Sequence, residues 1–264
     1  MNILSIEFVR NAYMIGTIIA IVSAIVGYFV VLRGLSFAAH SLADIGFAGA
    51  TGAILLNVNP IYGLLAFTIV AGSVMGYLGE KVRGRDVAIG IVLSFTLGLG
   101  ALFLTLYTKY ATQAFSILFG TILGVSVSDV IQTAILGLLC ILVIAYIYRP
   151  LLFSSIDPLV AFSKGVPVQF LSILFFIILA VTVSIAVQII GVLLIFTLIL
   201  VPAATAQYLT AKPLHTILVA IGIGVFVTWV GITLSYYIAW PVGFFISSLA
   251  FLLYICARLY SVVS

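Results

Sequence analysis

Charge is what this chain has least of. Only 6% of its 264 residues are Asp, Glu, Lys or Arg, six acidic and ten basic, while 65% are hydrophobic. A soluble domain of this length could not cover its surface with so few charges, which excludes an ordinary aqueous globular enzyme. Cysteine is scarce as well. Cys140 and Cys256 stand alone in apolar runs, which is expected of two buried small hydrophobes and not of a disulfide or a thiolate metal site. No GxxxxGK[ST] loop occurs, so any use of ATP falls to a separate subunit. Long linkers, low-complexity tracts and soluble inserts are missing too, and residues 1–264 are expected to form a single transmembrane domain. Residues 1–10 carry two charges and no cleavage-site pattern, so the first apolar run is expected to stay in the protein.

What the chain does have is apolar stretches near twenty residues, enough at 1.5 Å per residue to cross about 30 Å of hydrocarbon. They fall at 11–32, 35–56, 61–79, 88–107, 129–148, 169–188, 190–209, 216–238 and 242–258. The expected fold is therefore an all-α polytopic membrane protein, a bundle of about nine transmembrane helices. Eight is the alternative, because 112–127 also reads as a surface helix and the break at 188–190 is short. Charge asymmetry favours nine. That count puts Arg33, Lys81, Arg83, Arg85, Arg149, Lys164, Lys212 and Arg258 on the cytoplasmic side and leaves only Arg10 and Lys109 outside. The net charge of +4 follows from the same pattern, basic residues anchoring cytoplasmic ends to anionic membrane lipid, and gives no argument for nucleic acid.

Within the spans, His40 and Asp44 lie one helical turn apart. At helical spacing, positions 40, 44, 47 and 51 make a stripe of His, Asp, Phe and Thr. Around it, Ala39, Ala43, Gly46, Gly49, Ala50, Gly52 and Ala53 would let other helices approach closely, as in the middle of a bundle. Counted from Arg33, the two polar residues stand about 10 and 16 Å deep at 1.5 Å per residue. Transport sites are usually built near that level. Two readings fit the pair: a divalent-metal ligand set, or a hydrogen-bonded tie between helices. The first is preferred, because a carboxylate inside a bilayer is costly and apolar packing serves everywhere else in this chain. Two ligands are too few for a first-row divalent ion. A second copy across a two-fold axis would double them, so a homodimer with the ion on its axis is expected.

The other polar residues have local explanations. Asp129, after Ser126-Val127-Ser128, reads as a helix N-cap, and Asp157-Pro158 as the start of a short helix in the 150–168 loop. Glu80 and Asp86 flank the basic KVRGR run as a solvated face, Glu7 sits at headgroup level, and His215 is a surface residue of a turn. Pro202 interrupts an apolar span where Thr205 offers local hydrogen bonding, which suggests a kinked helix. Tyr236, Tyr237, Trp240 and Pro241 mark an interface belt.

The strings RGLSFAAHSLADIGFAGA (33–50), DVAIGIVLSFTLGLG (86–100), LFGTILGVSVSDV (118–130), IDPLVAFSKGVP (156–167), IIGVLLIFTLILVPAATAQYL (189–209) and GITLSYYIAWPVG (231–243) resemble the membrane subunit of the zinc, manganese and iron family of ABC importers. The resemblance follows the family's order over nearly the whole chain, and the 189–209 string is its most specific part. It implies a homodimeric permease for zinc or manganese, with iron a further cargo and no permanently bound cofactor. Cytoplasmic ATPase subunits and an extracellular or periplasmic metal-binding protein would be its partners. His40 and Asp44 would be the metal ligands, and Asp157, Pro158, Lys164 and Gly165 would belong to the loop that couples to the ATPase. Two departures stand out. The family's second span commonly reads Asp-x-x-x-His, whereas here the ligand types are exchanged. An acidic residue often precedes the proline of its YYxDxPxG string, where this chain has Ala239-Trp240-Pro241. The alternatives from other classes are a secondary metal/proton carrier, a metal-chelate permease of the siderophore type, and a membrane subunit without transport.

Overall fold

In a computed structural model that describes residues 7–78, 85–106, 118–120, 122–238 and 240–263, ten α-helices carry the chain. Nine are long: α1 (Glu7–Leu32), α2 (Ser36–Leu55), α3 (Pro60–Leu78), α4 (Arg85–Leu106), α5 (Val127–Ile156), α7 (Val168–Ile190), α8 (Val192–Leu209), α9 (Pro213–Ile238) and α10 (Val242–Val263); α6 (Pro158–Ser163) is short. Eight of the nine contain an apolar stretch long enough to cross a membrane. The exception is α2, whose 20 residues include His40, Asp44 and three glycines. The protein is thus a multi-pass membrane protein of the expected class. The 79–84 connection with Glu80, Lys81 and Arg83, the 107–117 connection with Lys109, and Ala239 lie outside the described residues.

Contacts along α2 set its direction relative to the spanning helices. Gly46 faces Leu64 and Thr68, and Gly49 faces Gly63, so α2 and α3 are antiparallel; Phe37 meets Gly90 and Ala48 meets Gly100, so α2 and α4 are parallel. Likewise α3 runs antiparallel to α7 through Gly72–Phe176 and Gly76–Ile173, while α8 is parallel to α10 through Leu194–Gly243 and Tyr208–Tyr254. These directions are those of helices that alternate along the chain. Arg33, Arg149, Lys164, Lys212 and Arg258 gather at one face of the bundle and Arg10 at the other.

The small residues of α2 do what their pattern suggests. At Gly49 and Gly63 an added Cβ would overlap the other glycine's carbonyl, and α4 lays Phe103 against Gly52. As a result α2 packs against α3, α4, α7 and α8, and against α1 near the turn that joins them. A buried hydroxyl pair, Thr68 and Ser184 with oxygens 2.7 Å apart, joins α3 to α7.

Several boundaries differ from the sequence reading. The fifth long helix does not stop at 148 but continues through Arg149 and Pro150 to Ile156. At 1.5 Å per residue its 30 residues reach about 45 Å, more than the hydrocarbon core, so its end stands at or beyond the headgroups. There, polar surroundings can satisfy the carbonyl that Pro150 leaves without a donor. The break between α7 and α8 is a single residue, Gly191, with φ 90°. Its backbone packs on Leu118–Gly120, and Gly120 is also at positive φ, 77°. Cys140 is buried, but Cys256 is exposed on α10, which corrects the expectation for the second cysteine. The cap of α5 is Ser126. Asp129 is the reciprocal member of that capping box and also accepts from Gln188 on α7 at 3.4 Å. Pro202 lies inside α8, and Thr205 donates to the carbonyl of Val201 at 2.7 Å. His215 is exposed in the first turn of α9.

Candidate metal site on α2

The turn before α2 sets where its polar residues sit. α1 ends with Gly34 in the left-handed region at φ 63°, and the Leu35 amide reaches back to Val30 O at 2.9 Å. α2 then begins at once, which puts His40 in its second turn and Asp44 one turn further in.

The two side chains face each other along the helix. His40 Nε2 lies 3.6 Å from Asp44 Oδ2, too long for a strong hydrogen bond but short enough for both to reach one ion. In the single chain His40 is 47% exposed and Asp44 20%, so the pair is open to an incoming group and is not sealed in a helix contact. The stripe divides beyond them. Phe47 and Thr51 are buried, and the Thr51 hydroxyl donates to Ala48 O of its own helix at 2.9 Å. Among the described residues, no cluster of three or more His, Cys, Asp and Glu forms.

A neighbour not foreseen from the sequence completes the local geometry. Phe196 of α8 meets the His40 ring edge-on, with centroids 5.1 Å apart and planes at 62°. No periodicity within α8 marks Phe196; only the approach of α8 to α2 does.

The second expected element also forms, at the face that carries Lys164. Asp157 caps α6 by accepting from the Val160 amide at 3.0 Å, and Pro158 takes the first helical position. Lys164 closes the helix, Gly165 turns the chain at φ 80°, and the Val166 amide returns to Ala161 O at 3.0 Å. Ala161 is buried, while Leu159 and Phe162 are 83% and 73% exposed.

With this geometry in place, comparison with known proteins gives a consistent result. The model of the ABC 3 transport family matches residues 5–261. The manganese transport system membrane protein MntC of Listeria innocua is 32% identical over 87% of this chain and 82% of its own length. The manganese import system permease protein ScaB of Streptococcus gordonii is 34% identical over 87% of this chain and 83% of its own. The solved structure of PsaBC from Streptococcus pneumoniae in complex with Fab superposes with a TM-score of 0.86 at 28% identity, covering 96% of this chain and 92% of that one.

Proposed function

Because the chain belongs to the ABC 3 transport family, we propose that it is the permease subunit of an ATP-binding-cassette importer that carries a divalent transition metal ion inward across the cell membrane. Residues 1–264 act as one permease domain. Manganese, which the names of the relatives MntC and ScaB carry, is the first candidate cargo. Zinc and iron suit the same donors, since imidazole favours zinc and iron and carboxylate admits manganese. The ion is a passenger and not a resident cofactor.

The observation that supports this reading is the open His40–Asp44 pair on a helix otherwise packed against α3, α4, α7 and α8. Two donors do not fill the shell of a first-row divalent ion. A second copy across a two-fold axis supplies two imidazoles and two carboxylates. The two carboxylates then balance the charge of one divalent cation, so the loaded site is close to neutral, a condition under which ionised groups are tolerable at bilayer depth. Movement of the protomers about the axis would open the site first to the outer face, where a metal-binding protein delivers the ion, and then to the cytoplasm.

Energy for that cycle comes from outside this chain, which performs no covalent chemistry in this reading. Cytoplasmic ATPase subunits dock on α6, where Leu159 and Phe162 enter a groove of the ATPase and Lys164 stands at the rim. Asp157 and Pro158 fix the start of α6, and Gly165 returns the chain to α7.

Reconstitution in liposomes with the cognate ATPase subunit tests the reading. Uptake of Mn²⁺ should require ATP and increase when the metal-binding protein is added. Uptake driven by an ion gradient without ATP would favour the secondary-carrier alternative.

A further inference from the structure

A metal-ligating histidine is normally oriented through its second ring nitrogen, which donates to a carboxylate, a carbonyl or water. His40 has no such partner among the described residues. Its contacts are Asp44 at 3.6 Å, itself a ligand in the reading above, and the Phe196 ring at 5.1 Å. Phe196 stands on a different helix, five residues past the Gly191 junction, where the backbone is wedged against Leu118–Gly120. An edge-on aromatic contact restricts the plane of the imidazole without using either nitrogen.

We infer that Phe196 is a positioning residue for His40: its ring, carried by α8, holds the imidazole in the plane from which a ring nitrogen reaches the ion beside Asp44. This rests on the assignment of His40 as a ligand. The contact also makes ligand geometry depend on where α8 sits relative to α2, so displacement of α8 loosens the site. Phe196 touches the ligand and not the ion.

The test compares Phe196→Ala, Phe196→Leu and Phe196→Tyr with His40→Ala in the full-length protein in lipid nanodiscs, titrated with Mn²⁺ alone, and in transport assays. Phe196→Ala should weaken Mn²⁺ binding on the order of 10-fold, the low end of the range for lost support behind a ligand. Phe196→Leu restores volume but no aromatic edge and should remain weak, while Phe196→Tyr should return to within about 2-fold, since it keeps the ring. In transport the loss should appear as a raised KM with the maximal rate largely kept. A purely structural role would instead lower the maximal rate through loss of assembled protein. Unchanged Mn²⁺ affinity in Phe196→Ala, or equal rescue by Leu and Tyr, overturns the inference while leaving His40 in place. Unchanged affinity in His40→Ala removes the ligand assignment and this inference with it.

Discussion

Gly49 on α2 and Gly63 on α3 cross with their backbones in contact, each occupying the space where the other's Cβ would be. This crossing packs the helix that carries His40 and Asp44 against α3. A side chain at either position must push the two helices apart, because what it meets is backbone and not the tip of a flexible group.

Gly49→Leu should therefore cost more than the roughly 1–3 kcal/mol usual for overpacking a core. Thermal stability in detergent should drop sharply and folded yield should fall. A matched Gly98→Leu, where no atom lies within 4 Å of the added Cβ, should be tolerated. Equal stability of the two variants would show that the crossing contributes little.

The α7–α8 junction gives a second expectation. Gly191 adopts φ 90° and ψ 160°, a region open essentially to glycine alone, and an added Cβ would lie 2.5 Å from Gly120 N. Gly191→Ala should cost at least about 1–3 kcal/mol from backbone strain alone and should shift Phe196 relative to His40. Thermal unfolding together with Mn²⁺ titration would detect both effects, and a variant as stable and as tight as the unmodified protein would contradict the geometry.

A third expectation concerns α6. Asp157→Ala removes a helix cap worth about 1 kcal/mol, and Leu159→Asp with Phe162→Asp makes the exposed apolar face acidic. Co-purification of the ATPase should fall slightly for the first and be lost for the pair, with Mn²⁺ binding by the permease alone unchanged. Crosslinks from the ATPase that land only on 79–86 would place the docking site elsewhere.

Much of this architecture was legible in the sequence because membrane crossing is written as long apolar runs, and because His40 and Asp44 are conspicuous in such a background. The small residues around them announced close packing, and α2 packs closely on α3, α4, α7 and α8. Other features depend on three-dimensional approach and left no linear trace. The apolar run reads as ending at 148, but α5 continues through Pro150 to Ile156, where polar surroundings can satisfy a free carbonyl. Thr51 shares the stripe of His40 but spends its hydroxyl on its own helix. Phe196 resembles any apolar residue of α8 until α8 is seen against α2.

The central claim is that His40 and Asp44 together hold the transported ion, and ATP-dependent Mn²⁺ uptake by His40→Ala and Asp44→Ala in liposomes with the ATPase tests it most directly. If two copies share the site, as proposed, each substitution removes two of its donors. The account predicts uptake reduced to background in both variants, with assembly with the ATPase preserved. Near-normal uptake by both would contradict it and leave the pair as a tie between helices.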